Sequence, residues 1–180
     1  IYRIKGLGGI SMSSDVKKEF LDLGRHPIAN AFLKEEDFKD EFLFDLKVCW
    51  NKETKLVSIK EFVEPEKIFN EDYPYNTSNS FPMIEHFKNT AEMLKMKVLE
   101  IGSNSGPFIE NFNKEDSLCV EPCGNFAEVT ENMGYKTHVD FWTTDLADKI
   151  VKEDGYMDLI YAANCICHIH DLDDTFKAVK

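Results

Sequence analysis

Arginine is almost absent: Arg3 and Arg25 supply the only two guanidinium groups in 180 residues. With a formal net charge of −12, the chain has no basic face for a phosphate backbone, which argues against a nucleic-acid partner. Long apolar runs are also missing. No stretch approaches the roughly 20 residues of a membrane span, and no signal-peptide pattern opens the chain, so no membrane partner is expected. Cysteine is sparse, with five residues in no framework spacing, which fits a reducing compartment. A cytoplasmic enzyme is the resulting expectation. Apolar material, by contrast, is plentiful: 43% of residues are hydrophobic and 14 are Phe. That suffices for one domain of ordinary size, or for a small module plus most of a larger one.

The stretch Val98-Leu99-Glu100-Ile101-Gly102-Ser103-Asn104-Ser105-Gly106-Pro107-Phe108-Ile109 organises the rest. A short apolar run ends in Gly102, a small polar turn follows, and Gly106 opens an apolar helical pattern of Phe108, Ile109 and Phe112. A parallel strand delivers backbone N–H groups to a ligand at a helix N-terminus in this way. Gly102 is expected to permit the sharp turn and Gly106 the close approach of backbone to ligand. The spacing is Gly-x-x-x-Gly, not the Gly-x-Gly-x-x-Gly of dinucleotide dehydrogenases. An ordinary strand–turn–helix corner with glycines remains open as the plain alternative.

Before this stretch, Phe20–Gly24 reads as a short strand ending at a glycine, and Arg25–Asn30 as an ordered turn, because Pro27 disfavours helix at His26. Phe42–Trp50 and Lys55–Phe62 alternate as two antiparallel strands joined by a turn at Asn51–Thr54. Residues 1–70 thus read as a small β-rich module. Residues 71–96 form a linking loop and helix, the helix running over 81–95 with Phe81, Ile84, Phe87, Ala91 and Leu94 on one face. From 97 to 180, strands are predicted at Val98–Ile101, Leu118–Glu121, Thr137–Val139 and Met157–Ala163. Helices are predicted at Pro107–Phe112, Asn125–Met133, Thr144–Lys152 and from Asp171 onward. Strand–helix alternation at this spacing means a doubly wound α/β sheet.

Glu121 ends the second of these strands, 19 residues after Gly102, where an acid can accept hydrogen bonds from both ribose hydroxyls of an adenosine ligand. The competing reading is a solvated strand-end carboxylate. Asn164-Cys165-Ile166-Cys167-His168-Ile169-His170-Asp171 follows the fourth strand, at the carboxyl end where ligands bind in such sheets. His168 is the candidate general base, with an ordinary pKa of about 6.5. Two other readings stand beside it. Two Cys and two His within six residues could bind metal, although ligands so crowded converge poorly on a tetrahedral ion, and the segment could simply cap a helix. Cys119 reads as a small core residue.

Taken together these motifs resemble the S-adenosylmethionine-dependent C-methyltransferases that act on nucleotide-linked deoxyketosugars. The resemblance rests on Leu21-Asp22-Leu23-Gly24 through Pro27, on Ala29–Phe32, on Asp72-Tyr73-Pro74-Tyr75 through Ser80, and on His86. It continues through Glu100–Gly106, Val120-Glu121-Pro122 with Asn125 and Ala127, and Ala163-Asn164 with His168. It implies a Rossmann-like class I methyltransferase sheet, incomplete at the C-terminus, behind a small zinc-binding module. Zinc ligands would come as two Cys-x-x-Cys pairs. The first would fall near Ile10 and Ser13, and Lys52 stands where the partner of Cys49 would be, so no metal is expected. Because the chain starts at Ile1 and stops at Lys180, both ends are expected to be truncated, with a further C-terminal domain missing.

The resemblance further implies that S-adenosylmethionine is held by Gly102, Ser103, Asn104 and Gly106. Glu121 would take the ribose diol, with Asn164 beside the cofactor. His168 would be base or proton relay and Tyr75 a hydroxyl in the sugar pocket, for a small-molecule, nucleotide-linked sugar substrate. Two alternatives are carried: a truncated or degenerate binding module without full activity, and a small-molecule O- or N-methyltransferase.

Overall fold

The computed structural model describes residues 16–94 and 96–180. The chain divides into two compact units, the first ending at Glu64 and the second running from Pro65 to Lys180. The linking loop and helix belong to the second.

The first unit is an antiparallel sheet of β1 (Lys17–Pro27), β2 (Leu43–Asn51) and β3 (Val57–Ile59), in that spatial order. Strand β1 is longer than the expected Phe20–Gly24 and consumes the expected turn as far as Pro27. Gly24 does not end the strand. It sits at a φ of +78° within an irregularity of the β1–β2 register between Asp22 and Arg25, and Asp22 Oδ1 accepts its N–H at 2.8 Å. A glycine inside a strand pattern marks a bulge as readily as an end. The β2–β3 turn forms where expected, and Asn51 holds it. Its Oδ1 accepts the N–H groups of Glu53 at 2.9 Å and Thr54 at 3.0 Å, a side chain standing in for a backbone turn partner.

In the second unit, helix α1 (Phe81–Glu92) is followed by β4 (Val98–Ile101), β5 (Ser117–Val120), α2 (Gly124–Asn132), β6 (Lys136–His138), α3 (Thr144–Asp154), β7 (Leu159–Ala162) and α4 (Leu172–Ala178). The four strands are parallel, in the order β6-β5-β4-β7. The chain starts at β4, moves outward to β6, then crosses back to β7 on the other flank. Order reverses at β4, and the crevice beyond its carboxyl end is where such sheets bind ligands.

Period-2 alternation divides the core between the two faces of this sheet. Leu99, Ile101, Leu118 and Val120 pack with Trp142, Leu146, Ala147 and Ile150 of the α3 side. Val98 and Cys119 pack with Phe87 and Ala91 of α1 and with Phe108, Ile109 and Tyr135. The Phe108 ring stacks on Tyr161 at 3.7 Å between centroids. Both faces being covered explains why β4, β5 and β7 read as nearly continuous apolar runs.

One expected helix does not form. Pro107–Phe112 contains only a 3-10 turn, Ile109–Asn111. The Asn111 side chain donates to the carbonyls of Pro107 at 2.9 Å and Phe108 at 3.0 Å, and Phe112 has returned to extended backbone. A side chain competing for local carbonyls favours turns over helix. The glycine turn therefore leads into a tight coil plugged by Phe108 and Ile109, not into a helix with an aligned dipole. Among the described residues no helix is long and apolar enough to cross a membrane.

Candidate active site

At the carboxyl end of β4 the backbone turns through three residues with positive φ: Gly102 at +70°, Asn104 at +48° and Gly106 at +81°. Glycine suits the first and last because an added Cβ would strain the left-handed backbone. Each also admits a neighbour from this chain. A Cβ on Gly102 would lie 2.8 Å from Cys165 Cβ, and one on Gly106 would lie 3.1 Å from Thr130 Cγ2 and 3.3 Å from Met133 Sδ. The space that a Cβ on Gly106 would need is thus filled by Thr130 of α2 and by Met133 just after it.

Glu121 is not a solvated strand-end acid. It is 4% exposed, and its two oxygens hold the turn: Asn104 N–H donates to Oε2 at 2.7 Å and Cys123 N–H to Oε1 at 2.9 Å. Burial raises its pKa, while those two N–H donors pull it back. One strand away, Glu100 is 3% exposed and accepts the N–H of Ile109 at 3.2 Å. Burial pushes its carboxyl well above the usual range, and the nearby Glu121 charge adds to this. Glu100 supports the turn from beneath. Its signal in the sequence was an acid inside an apolar strand, a position that is costly without a partner.

The Asn104 and Ser105 side chains face the loop Tyr73–Ser80 and not the turn itself. Asn104 Oδ1 accepts Thr77 N–H at 2.8 Å and its Nδ2 donates to Tyr75 O at 2.9 Å. Ser105 Oγ accepts Ser78 N–H at 3.1 Å and lies 2.6 Å from Ser78 Oγ. Asn125 Nδ2, at the start of α2, donates to Tyr73 O at 3.0 Å. Tyr75 is thereby tied through its backbone to the glycine turn, and the residue is 52% exposed.

After β7, Asn164 takes a φ of +56° and is exposed. Cys165 then packs on Gly102, and its Sγ donates to Ile101 O at 3.2 Å. Burial holds that thiol up at about 12, a structural and not a nucleophilic cysteine. His168 closes the 3-10 turn Ile166–His168 and is exposed. Its ring meets Phe69 edge-on at 5.7 Å, and Phe69 meets Tyr73 at 5.2 Å. The fold therefore gathers Gly102, Ser103, Asn104, Gly106 and Glu121 into one assembly. Tyr75 is fastened to it through Asn104, and the Asn164–His168 segment through Cys165.

Metal is poorly served. Among the described residues Cys165, Cys167, His168 and His170 form no group of three converging ligand atoms. The group that does form is His138, Glu153 and Asp154, within 4.8 Å of one another. Its carboxylates already hold a cation, since Lys136 Nζ lies 3.1 Å from Glu153 and 2.6 Å from Asp154.

Residues 12–69 match a family model described as "Putative zinc binding domain". The residues present do not fit zinc. Within that range Cys49 is the one cysteine and His26 the one histidine. Cys49 is 1% exposed in mid-sheet, and the His26 ring is bonded to Leu23 O at 2.9 Å. The positions near Ile10 and Ser13, where the resemblance would put the first ligand pair, lie outside the described residues. The chain is also similar to the C-methyltransferase NovU of Streptomyces niveus, 26% identical over 173 residues that cover 90% of this chain and 41% of that protein.

Proposed function

Both matches support a C-methyltransferase family for this chain, and from that premise we propose that it is a methyltransferase using S-adenosylmethionine. The proposed scaffold is a Rossmann-like class I sheet, and the proposed acceptor is a carbon of a nucleotide-linked ketodeoxysugar. One observation carries the reading: the 2.7 Å bond from Asn104 N–H to Glu121 Oε2, which joins the glycine turn on β4 to the acid after β5 at the point where strand order reverses. The donor set suits the cofactor. Each Glu121 oxygen accepts one backbone N–H and the Cys123 thiol also bonds the carboxylate; a carboxylate offers about four lone-pair sites, so acceptor capacity remains for a ribose hydroxyl.

When bound, S-adenosylmethionine supplies an electrophilic methyl to a carbon nucleophile and departs as the thioether. Gly102, Ser103 and Gly106 provide the backbone of its cradle, Glu121 fixes the ribose, and Asn164 lines the side towards β7. A 4-keto sugar becomes a carbon nucleophile when a base takes the proton beside its carbonyl and a donor steadies the enolate oxygen. His168 is the proposed base or proton relay, and the exposed Tyr75 hydroxyl the proposed donor in the sugar pocket.

Calorimetry with S-adenosylmethionine and its demethylated product tests the reading. The unaltered chain should bind both, and Glu121→Ala should weaken binding at least about tenfold, or 1.4 kcal/mol. Unchanged affinity would remove Glu121 from the site. His168→Ala should bind the donor yet lose turnover of a ketosugar and solvent exchange at the carbon beside its carbonyl. A second reading, a donor-binding module that does not complete the chemistry, is favoured by the lack of paired cysteines within the matched residues 12–69. It predicts donor binding with no such exchange.

A further inference from the structure

Both polar atoms of the Asn104 side chain have a partner in the 73–80 loop. Its carboxamide accepts from Thr77 N–H at 2.8 Å and donates to Tyr75 O at 2.9 Å, skipping Asn76. This is the hydrogen-bond pattern that one residue of a parallel β-strand makes with its neighbour: one bond to the carbonyl of residue j−1 and one to the N–H of residue j+1. Asn76 itself has extended backbone, with φ −111° and ψ 114°. A side-chain amide is therefore acting as a one-residue strand for the loop. Its own backbone is held at a φ of +48°, a conformation Asn tolerates better than most residues, and its N–H is committed to Glu121. Two further contacts flank it, Ser105 on Ser78 and Asn125 on Tyr73 O.

We propose that Asn104 is a positioning residue that couples the cofactor site to the acceptor loop. Glu121 fixes Asn104 from one side, and Asn104 fixes the backbone on either side of Asn76, which sets where the Tyr75 hydroxyl is presented. Ordering of the turn by a bound methyl donor is passed to the backbone around Asn76 through this amide, alongside the Ser105 contact on Ser78. Donor binding therefore prepares the acceptor pocket. This inference rests on the methyltransferase reading for the identity of the two ligands, while the clip itself stands on geometry alone.

Amide hydrogen exchange at Thr77 and Ser78 is the direct readout, compared among the unaltered chain, Asn104→Gly and Asn104→Asp. Glycine keeps the left-handed backbone and removes the amide. Aspartate keeps the acceptor for Thr77 and loses the donor to Tyr75. In Asn104→Gly, without ligand, Thr77 exchange should accelerate at least about tenfold, the equivalent of 1.4 kcal/mol, and Asn104→Asp should restore most of the protection. Saturating S-adenosylhomocysteine should slow Thr77 exchange in the unaltered chain and leave it unmoved in Asn104→Gly. In turnover, Asn104→Gly should raise the acceptor KM at least about tenfold while donor affinity falls no more than about threefold.

Unchanged Thr77 exchange in Asn104→Gly would overturn the clip, whatever the enzyme's activity. A donor-induced slowing that survives in Asn104→Gly would overturn the coupling. An unaltered chain that binds no donor would overturn the methyltransferase reading and the coupling together, and ligand-free Thr77 exchange would still decide whether the clip exists.

Discussion

Two buried carboxylates lie side by side under the glycine turn, and their titration is visible in stability. Glu100 has its folded-state pKa raised well above its ordinary value of 4.5, chiefly by burial. A carboxyl raised in this way contributes stability that is fully present below 4.5 and is lost as pH climbs through the folded-state value. Between those limits the native state binds more protons than the unfolded state, so the slope with pH is negative. Glu100→Gln keeps an oxygen for Ile109 N–H and cannot ionise. Denaturant unfolding at several pH values above 4.5 should show the variant gaining on the unaltered chain by up to about 1.4 kcal/mol per pH unit. Parallel curves would mean that Glu100 ionises freely in the folded state. Gly102 makes a second residue-scale case. Gly102→Ala adds a Cβ 2.8 Å from Cys165 Cβ at a φ of +70°, which should cost about 2–4 kcal/mol from overpacking and backbone strain together. In a Cys165→Gly background the same change should cost less by about 1 kcal/mol or more, because the steric part is removed and the strain remains. Equal costs in the two backgrounds would show that strain alone sets the requirement for glycine.

Among the elements, the β2–β3 turn depends on one side chain. Asn51→Ala removes the acceptor of two N–H groups and should cost about 1–2 kcal/mol. The loss should appear as faster amide exchange at Glu53 and Thr54, with the strands of the second unit unaffected. Exchange at those two amides that stays slow would mean the backbone holds the turn unaided. The same kind of contact explains which elements were legible in the sequence. Strands β4, β5 and β7 could be read within a residue or two because both of their faces are covered and their apolar runs have few interruptions. Strand β1 is mostly exposed along its length, so burial imprinted little alternation on it, and its bulge at Gly24 reads like an end. Pro107–Phe112 has helix-compatible apolar spacing, yet Asn111 diverts the carbonyls that a helix would use. At the site, the glycines and Glu121 were legible because positive φ and a paired acid leave characteristic residue types. The clip on the 73–80 loop was not. Asn and Ser meeting backbone 27 to 29 residues away leave no periodicity, and only the folded chain brings them together.

At the scale of the whole molecule, the two units are stabilised by different means. Both hydrophobic clusters, on the two faces of the parallel sheet, belong to the second unit. Among the described residues of the first unit, Cys49 and Asn51 are the buried ones, and many large apolar side chains are exposed, Phe20, Leu23, Phe32 and Phe38 among them. Small modules with so little core ordinarily depend on a metal or on disulfides, and in metal-dependent modules the binding free energy is folding free energy. The ligands for that solution are not here: one cysteine is sunk in mid-sheet and one histidine is bonded to a backbone carbonyl. Among the described residues, the side-chain contacts that support its strand ladders include the Asn51 turn, the Lys60–Glu19 ion pair at 2.9 Å, and Lys47 shared between Asp22 at 3.5 Å and Asp45 at 3.9 Å. Exposed pairs of this kind are worth about 0–1 kcal/mol each and weaken with salt. The expected behaviour is therefore salt-sensitive and chelator-insensitive. Raising the ionic strength should speed amide exchange in β1 and β2 more than in β4 and β5. Dialysis against EDTA should leave both the exchange pattern and the melting temperature where they were. A melting temperature that falls on chelation and returns with one equivalent of zinc, with amide protection in β1 and β2 lost and regained in step, would show that the first unit holds a metal site after all.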